Sequence, residues 1–171
     1  MATPKKLQVA LDGNVALLFE AGAEFCEKVF ETLQKLKLEI HLTETVLQEI
    51  QDQAENASAP LFSDLALSLL RKCHSHGIKT NGLKNYQNGC AEQLADFVLE
   101  KCVPNNVTIT KNEALIVAET SLHEMEFLIV LPTSPLLKLN GKWLNLCLTE
   151  KDGFPITILS TDDILRIVND L

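Results

Sequence analysis

The run Phe127-Leu-Ile-Val-Leu131 is apolar at every position and stops at Pro132. A short run with no polar face reads as a strand covered on both sides, and such strands belong to parallel sheets flanked by helices. Further β-compatible runs recur along the chain at 7–11, 39–42, 78–80, 107–109, 144–148 and 156–159. Helical patterns alternate with them through most of the sequence. This alternation predicts an α/β fold, a three-layer α/β/α sandwich around a mainly parallel central sheet. The 171 residues are enough for one domain with a full core, 1–171, and no internal repeat, low-complexity stretch or linker divides it.

The boundaries of the helices carry their own signals. Gly22 separates a helix beginning over 15–18 from an amphipathic segment in which Phe25, Val29, Phe30, Leu33 and Leu36 recur at helical spacing. Thr43, Thr110 and Ser160 suit the N-caps of helices over 43–50, 111–123 and 161–169. Pro60 suits the first turn of a helix over 61–73 that His76-Gly77 ends. Residues 81–88 hold turn-forming Asn and Gly, ahead of a helix over 89–102.

The composition excludes several classes. No apolar run reaches the ~18 residues of a membrane helix, and the stretch after Lys5-Lys6 is broken by Asp12 and Asn14, which makes a poor signal peptide. Five cysteines, an odd number with no Cys-x-x-Cys spacing, read as free thiols in a reducing compartment. A cytoplasmic protein without membrane contact is the expectation, and the glycosylation-like sequences at Asn56 and Asn106 carry no weight in that setting. The formal charge of -8 argues against tight, non-specific nucleic-acid binding. It leaves room for a site whose acids hold divalent cations, because bound ions invert the local field.

One acid occupies a telling position. In Leu7-Gln-Val-Ala-Leu-Asp12-Gly-Asn14 an apolar strand ends on a carboxylate, and Gly13 allows the turn that follows. Ligands of open α/β sheets bind outside the carboxyl ends of the strands. Asp12 is therefore a candidate metal ligand or nucleophile. The plainer alternative is that it N-caps the helix beginning near Val15.

Three spaced patterns resemble those of the PIN-domain nucleases. The first is Val9-Ala-Leu-Asp12-Gly-Asn14. The second is Ile40-His-Leu-Thr43-Glu-Thr-Val46-Leu-Gln-Glu49-Ile50, a short strand and then a helix with an embedded acid. The third is Glu113-Ala-Leu-Ile-Val-Ala-Glu119, an acid opening an apolar helix, followed by the strand at 127–131. The tail, Thr157-Ile-Leu-Ser160-Thr-Asp-Asp-Ile-Leu165, is similar to the family's closing strand and helix, so the resemblance spans nearly the whole chain. It implies a metal-dependent endoribonuclease in which Asp12, Glu49 and Glu113 face one another around Mg²⁺ or Mn²⁺. Hard oxygen donors suit those ions. An activated water would hydrolyse the phosphodiester. Asn14 would position water or phosphate. The implied partners are RNA and either a protein inhibitor or a second copy of the chain. The sequence departs from the pattern twice: the third acid is Glu rather than Asp, and Pro132-Thr133-Ser134-Pro135 holds no carboxylate where the family has a fourth. Thr133 or Ser134 offers only a hydroxyl there, which also admits a non-catalytic PIN-like module that binds RNA or protein.

Each acid has a structural alternative. Glu49 reads equally as a solvent-facing helix residue with Glu44 as its rival, and Glu113 as a first-turn acid favoured by the helix dipole. Cys73-His74-Ser75-His76 lacks a second half with metal-ligand spacing and reads as a polar helix end. Lys5, Lys6, Arg71, Lys72, Lys79 and Lys84 form a modest candidate basic rim. Lys138 and Lys142 are better placed for phosphate, and Trp143 reads as a core anchor, with a base-stacking platform as the alternative. Asp12-Gly-Asn14-Val15 is also similar to the opening motif of haloacid-dehalogenase-like phosphatases. There Asn14 takes the place of a second Asp, and an amide cannot serve as the general acid.

Overall fold

The computed structural model describes residues 4–80 and 85–170, with the side chains of 85–88 left aside; Lys84 and most of the turn expected over 81–88 lie outside the described residues. Five parallel strands form one sheet: β1 (Gln8–Leu11), β2 (Glu39–His41), β3 (Ile78–Lys79), β4 (Phe127–Val130) and β5 (Thr157–Ser160), in the order β3-β2-β1-β4-β5. Eight helices connect and flank them: α1 (Gly13–Glu20), α2 (Glu24–Lys35), α3 (Glu44–Asn56), α4 (Pro60–Lys72), α5 (Asn85–Cys102), α6 (Lys111–Leu122), α7 (Gly141–Glu150) and α8 (Thr161–Asn169). The result is the three-layer α/β/α architecture that the alternating pattern implied.

The strand order follows from burial. Val9, Ala10 and Leu11 on β1 and Leu128, Ile129 and Val130 on β4 are all fully buried, which only a central position in a covered sheet allows. The two strands lie side by side, Val9 against Phe127 and Leu11 against Ile129. The chain steps from β1 outward to β2 and β3, then returns to add β4 and β5 on the other side. The order therefore reverses between β1 and β4, and a doubly wound sheet opens its crevice at such a point, beyond the carboxyl ends of the strands.

Local chemistry sets the helix limits. Thr110 and Ser160 accept hydrogen bonds from the N3 backbone amides of α6 and α8, and Glu113 and Asp163 reach back to close both capping boxes. Pro60 opens α4, and Gly22 and Gly77 turn the chain at φ +79° and +72°. Thr43 occupies the N-cap of α3 but makes no side-chain cap bond.

Three expectations fail. Residues 144–148 are not a strand but the centre of α7. Asn140 caps that helix by accepting bonds from the backbone N–H groups of Lys142 and Trp143. Leu144, Cys147 and Leu148 face the core at helical spacing, while Leu146 is 70% exposed. Residues 107–109 are β-branched but form no strand. On α2 the buried position in the first turn is Cys26, while Phe25 points outward.

Candidate functional site

Asp12 ends β1 at the crevice, and its backbone N–H donates to the carbonyl of Ile129 on β4 at 2.9 Å. It stands at the N-cap position of α1, yet its side chain makes no capping bond. Burial is the main force pushing its pKa up to about 6, with the charges of Glu49 and Glu113 adding to it, and the N–H groups of Gly13 and Asn14 partly offset both.

Glu49 comes to the same place from α3. Its Oε2 lies 3.6 Å from the position that a Cβ on Gly13 would take, next to Asp12. Its Oε1 accepts a hydrogen bond from Asn112 Nδ2 on α6 at 2.9 Å. Burial raises its pKa, the Asn112 bond opposes that, and the charges of Glu113 and Asp52 add to the rise. Glu113 follows Asn112 in the first turn of α6, and one of its oxygens accepts from Thr110 N at 2.9 Å in the capping box. Glu49 and Glu113 thus lie close enough to Asp12 to raise its proton affinity, and Glu113 close enough to Glu49 to do the same there. Among the described residues none of the three is ion-paired to a Lys, Arg or His. As the side chains stand, no group of three or more His, Cys, Asp or Glu among the described residues is arranged to hold a metal ion.

The other predicted residues share the rim to different degrees. Asn14 is the exposed second residue of α1. Thr133 and Ser134 follow the carboxyl end of β4, beside β1; Thr133 is exposed, and Ser134 Oγ accepts from Leu136 N in the 3-10 turn Pro135–Lys138. Lys138 closes that turn, and Lys142 is exposed in the first turn of α7. Trp143 packs against the core. The basic rim is largely neutralised: Lys5 pairs with Glu124, Lys72 with Glu20 and Lys79 with Glu39. His76, from the Cys-His cluster, also bonds Glu20, at 2.9 Å. Glu44, the rival of Glu49, instead meets His123 at 2.9 Å. A cleft of about 870 Å³ opens elsewhere, lined by Phe97, Glu100, Leu122 and Lys151, and none of the candidate acids lines it.

Two residues that support the site were not singled out in the sequence. Asn112 orients Glu49. Glu119, 5% exposed on α6, takes the capping role that Thr43 leaves open: its carboxylate accepts from Thr45 N at 2.9 Å and from Thr45 Oγ1 at 2.7 Å, in the first turn of α3. Burial raises the pKa of Glu119, and the bonds from Thr45 oppose the rise. Asn112 and Glu119 together fix α3 against α6, and with it Glu49. Neither has a local signal, because their partners are 63 and 74 residues away.

Neither a protein-family model nor a curated protein sequence matches the chain. Solved structures do. The chain is similar to one in the VapBC2 complex from Rickettsia felis bound to a promoter DNA fragment, with TM-score 0.59 and 12% identity over 89% of this chain and 98% of that one. It is similar to a chain of DNA-bound VapBC from Salmonella typhimurium, with TM-score 0.62 and 12% identity over 91% and 98%. It is also similar to a chain of VapBC-5, from a toxin-antitoxin family of Mycobacterium tuberculosis, with TM-score 0.60 and 13% identity over 90% and 98%. The order and spacing of the three acidic motifs, the five parallel strands and these shared backbones agree: the chain has a PIN-like fold.

Proposed function

We propose that the chain is a metal-dependent endoribonuclease that hydrolyses RNA phosphodiesters at the rim around Asp12. The observation that carries this reading is the uncompensated charge there. A carboxylate at the end of the central strand has its pKa pushed up to about 6 by burial and by two further acids, and no described cation is paired with any of the three. A hard divalent ion is the group that removes such a penalty, and an all-oxygen donor set fits Mg²⁺ or Mn²⁺. Asp12, Glu49 and Glu113 are the residues that would hold it. When bound, the ion supplies positive charge to the scissile phosphate and acidifies a coordinated water. Asn14 offers an amide to the phosphate or to the attacking water, and Asn112 keeps Glu49 turned toward Asp12. The solved structures of like fold are toxin-antitoxin complexes, which supports a protein inhibitor or a homodimer as the partner of this chain.

A second reading, a PIN-like binding module without catalysis, is favoured by one specific observation. Glu113 is already engaged in its capping box and Ser134 in its turn, so neither is free as it stands to complete the donor set. The experiment that separates the two is cleavage of a 5′-labelled single-stranded RNA with Mg²⁺ or Mn²⁺, beside the hydrolysis of p-nitrophenyl phosphate. The nuclease reading expects internal RNA cleavage that stops with EDTA and with Asp12→Asn, and no attack on the phosphomonoester. RNA left intact under both ions, or cut equally well by Asp12→Asn, refutes it. Phosphomonoester hydrolysis would instead revive the phosphatase alternative.

A further inference from the structure

A cleft of about 590 Å³ opens at the β3 edge of the sheet, between α3, the end of α4 and β3. That volume lies within the ~300–1,000 Å³ of small-molecule sites. Arg71, His74 and Lys79 line it, together with the neutral donors Gln51 and Thr80, and no carboxylate lines it among the described residues. In a chain of net charge -8 this is a local inversion. The larger cleft beside Phe97 is the contrast, with Asp96, Glu100, Glu150 and Asp152 in its walls. Lys79 is held by Glu39. Arg71 and His74 are exposed and make no hydrogen bond or ion pair among the described residues. Arginine keeps its charge at any working pH, and its planar fork matches a phosphate. Leu47 and Leu70, both half-buried, give the cleft an apolar side on which a ribose or base can lie.

The register of the sheet ties this cleft to the acidic rim. Lys79 stands level with His41, and His41 with Ala10, two residues short of Asp12. With strands ~4.8 Å apart and a rise of ~3.3 Å per residue, the backbones of Lys79 and Asp12 are about 12 Å apart. Helix α3 spans the gap. Glu49 turns toward Asp12, whereas Leu47 and Gln51, one turn apart on the opposite side of the same helix, line the cleft.

We propose that this cleft is a nucleotide subsite for single-stranded RNA, holding the strand across the Asp12 rim. The Arg71 guanidinium takes a backbone phosphate, His74, Gln51 and Thr80 supply further donors, and the attached nucleoside lies on Leu47 and Leu70. The inference deepens the nuclease reading and rests on it for RNA as the ligand. A phosphate held there fixes the register of the strand over the acids and touches none of the reacting atoms, so Arg71 is a positioning residue.

The test uses the full chain carrying Asp12→Asn, so that RNA stays intact, and a short fluorescein-labelled single-stranded RNA with Mg²⁺, read by fluorescence anisotropy. Adding Arg71→Ala is expected to weaken binding by about tenfold and to lower the slope of log K against log salt by about one. Arg71→Lys should keep the slope and only part of the affinity. Lys35→Ala, which removes an exposed cation that does not line the cleft, should move neither. In the cleavage assay with Mn²⁺, Arg71→Ala alone should raise KM by about the same factor and leave kcat within about twofold. Unchanged melting temperatures confirm that the variants fold. Binding indifferent to Arg71→Ala, or weakened equally by Lys35→Ala, overturns the subsite, and the nuclease reading survives if the unmodified chain still cuts. RNA held through Arg71 but never cut by the unmodified chain supports the subsite and refutes the nuclease reading instead. Displacement of the RNA by micromolar AMP overturns the proposal in favour of a free nucleotide. Co-sedimentation with phosphatidylserine-phosphatidylcholine vesicles that Arg71→Ala abolishes, with no RNA bound, overturns it in favour of a membrane surface.

Discussion

Replacing Asp12 with asparagine should make the protein more stable while destroying the site. The carboxyl has an ordinary pKa of 3.8 and is pushed up to about 6 in the fold, mainly by burial. A rise of about 2 units corresponds to a penalty of about 3 kcal/mol on folding whenever the group is ionised. The penalty is fully present above pH 6, shrinks as pH falls from 6 toward 3.8, and is gone once both folded and unfolded chains are protonated. Asparagine keeps the shape and carries no charge. Asp12→Asn should therefore gain up to about 3 kcal/mol at pH 7.5, or about 6–12 °C in melting temperature for a chain of this length. At pH 3.5 it should gain almost nothing. Urea denaturation at both pH values, with the slope m checked for constancy, measures this directly. Mg²⁺ or Mn²⁺ at millimolar concentration should then raise the stability of the unmodified protein by more than that of the variant, which keeps only the Glu49 and Glu113 carboxylates. A variant no more stable at neutral pH, or one whose gain persists unchanged at pH 3.5, refutes the electrostatic account of the rim.

Asn112→Ala leaves the Glu49 carboxylate without its fixed donor. Cleavage of RNA at subsaturating Mn²⁺ should fall by about tenfold or more, while urea stability moves by less than about 0.5 kcal/mol because the side chain is exposed. Glu119→Ala should destabilise the protein by about 2–3 kcal/mol, because it strands the backbone N–H and hydroxyl of Thr45 in a half-buried setting. Glu119→Gln, which can still accept from that N–H, should cost much less, and thermal melts of the pair decide the point.

The features that could be read from the sequence are those in which one residue or its near neighbours carry the information. Asp12 stood out because an apolar run ended on it, and the caps at Thr110 and Ser160 because their partners lie three residues on. The sheet was legible because central parallel strands cannot afford a polar face. Residues 144–148 misled because Leu144, Leu146 and Leu148 alternate as a strand would; the decisive signal was Asn140, four residues earlier, satisfying the first amides of a helix. The roles of Asn112 and Glu119 were not legible at all. Each depends on where α3 meets α6, a contact made by tertiary packing rather than by any local pattern.

The sheet order also dictates when the molecule can assemble. Of the five strands β1 is made first, yet it sits in the middle of the sheet, and its neighbour β4 is more than a hundred residues downstream. Closing so long a loop must precede the contacts that reward it, which makes folding slow. Until Phe127 has emerged, one side of the central strand stays an open hydrogen-bonding edge, and nascent chains that stop short of β4 would be expected to aggregate or be degraded.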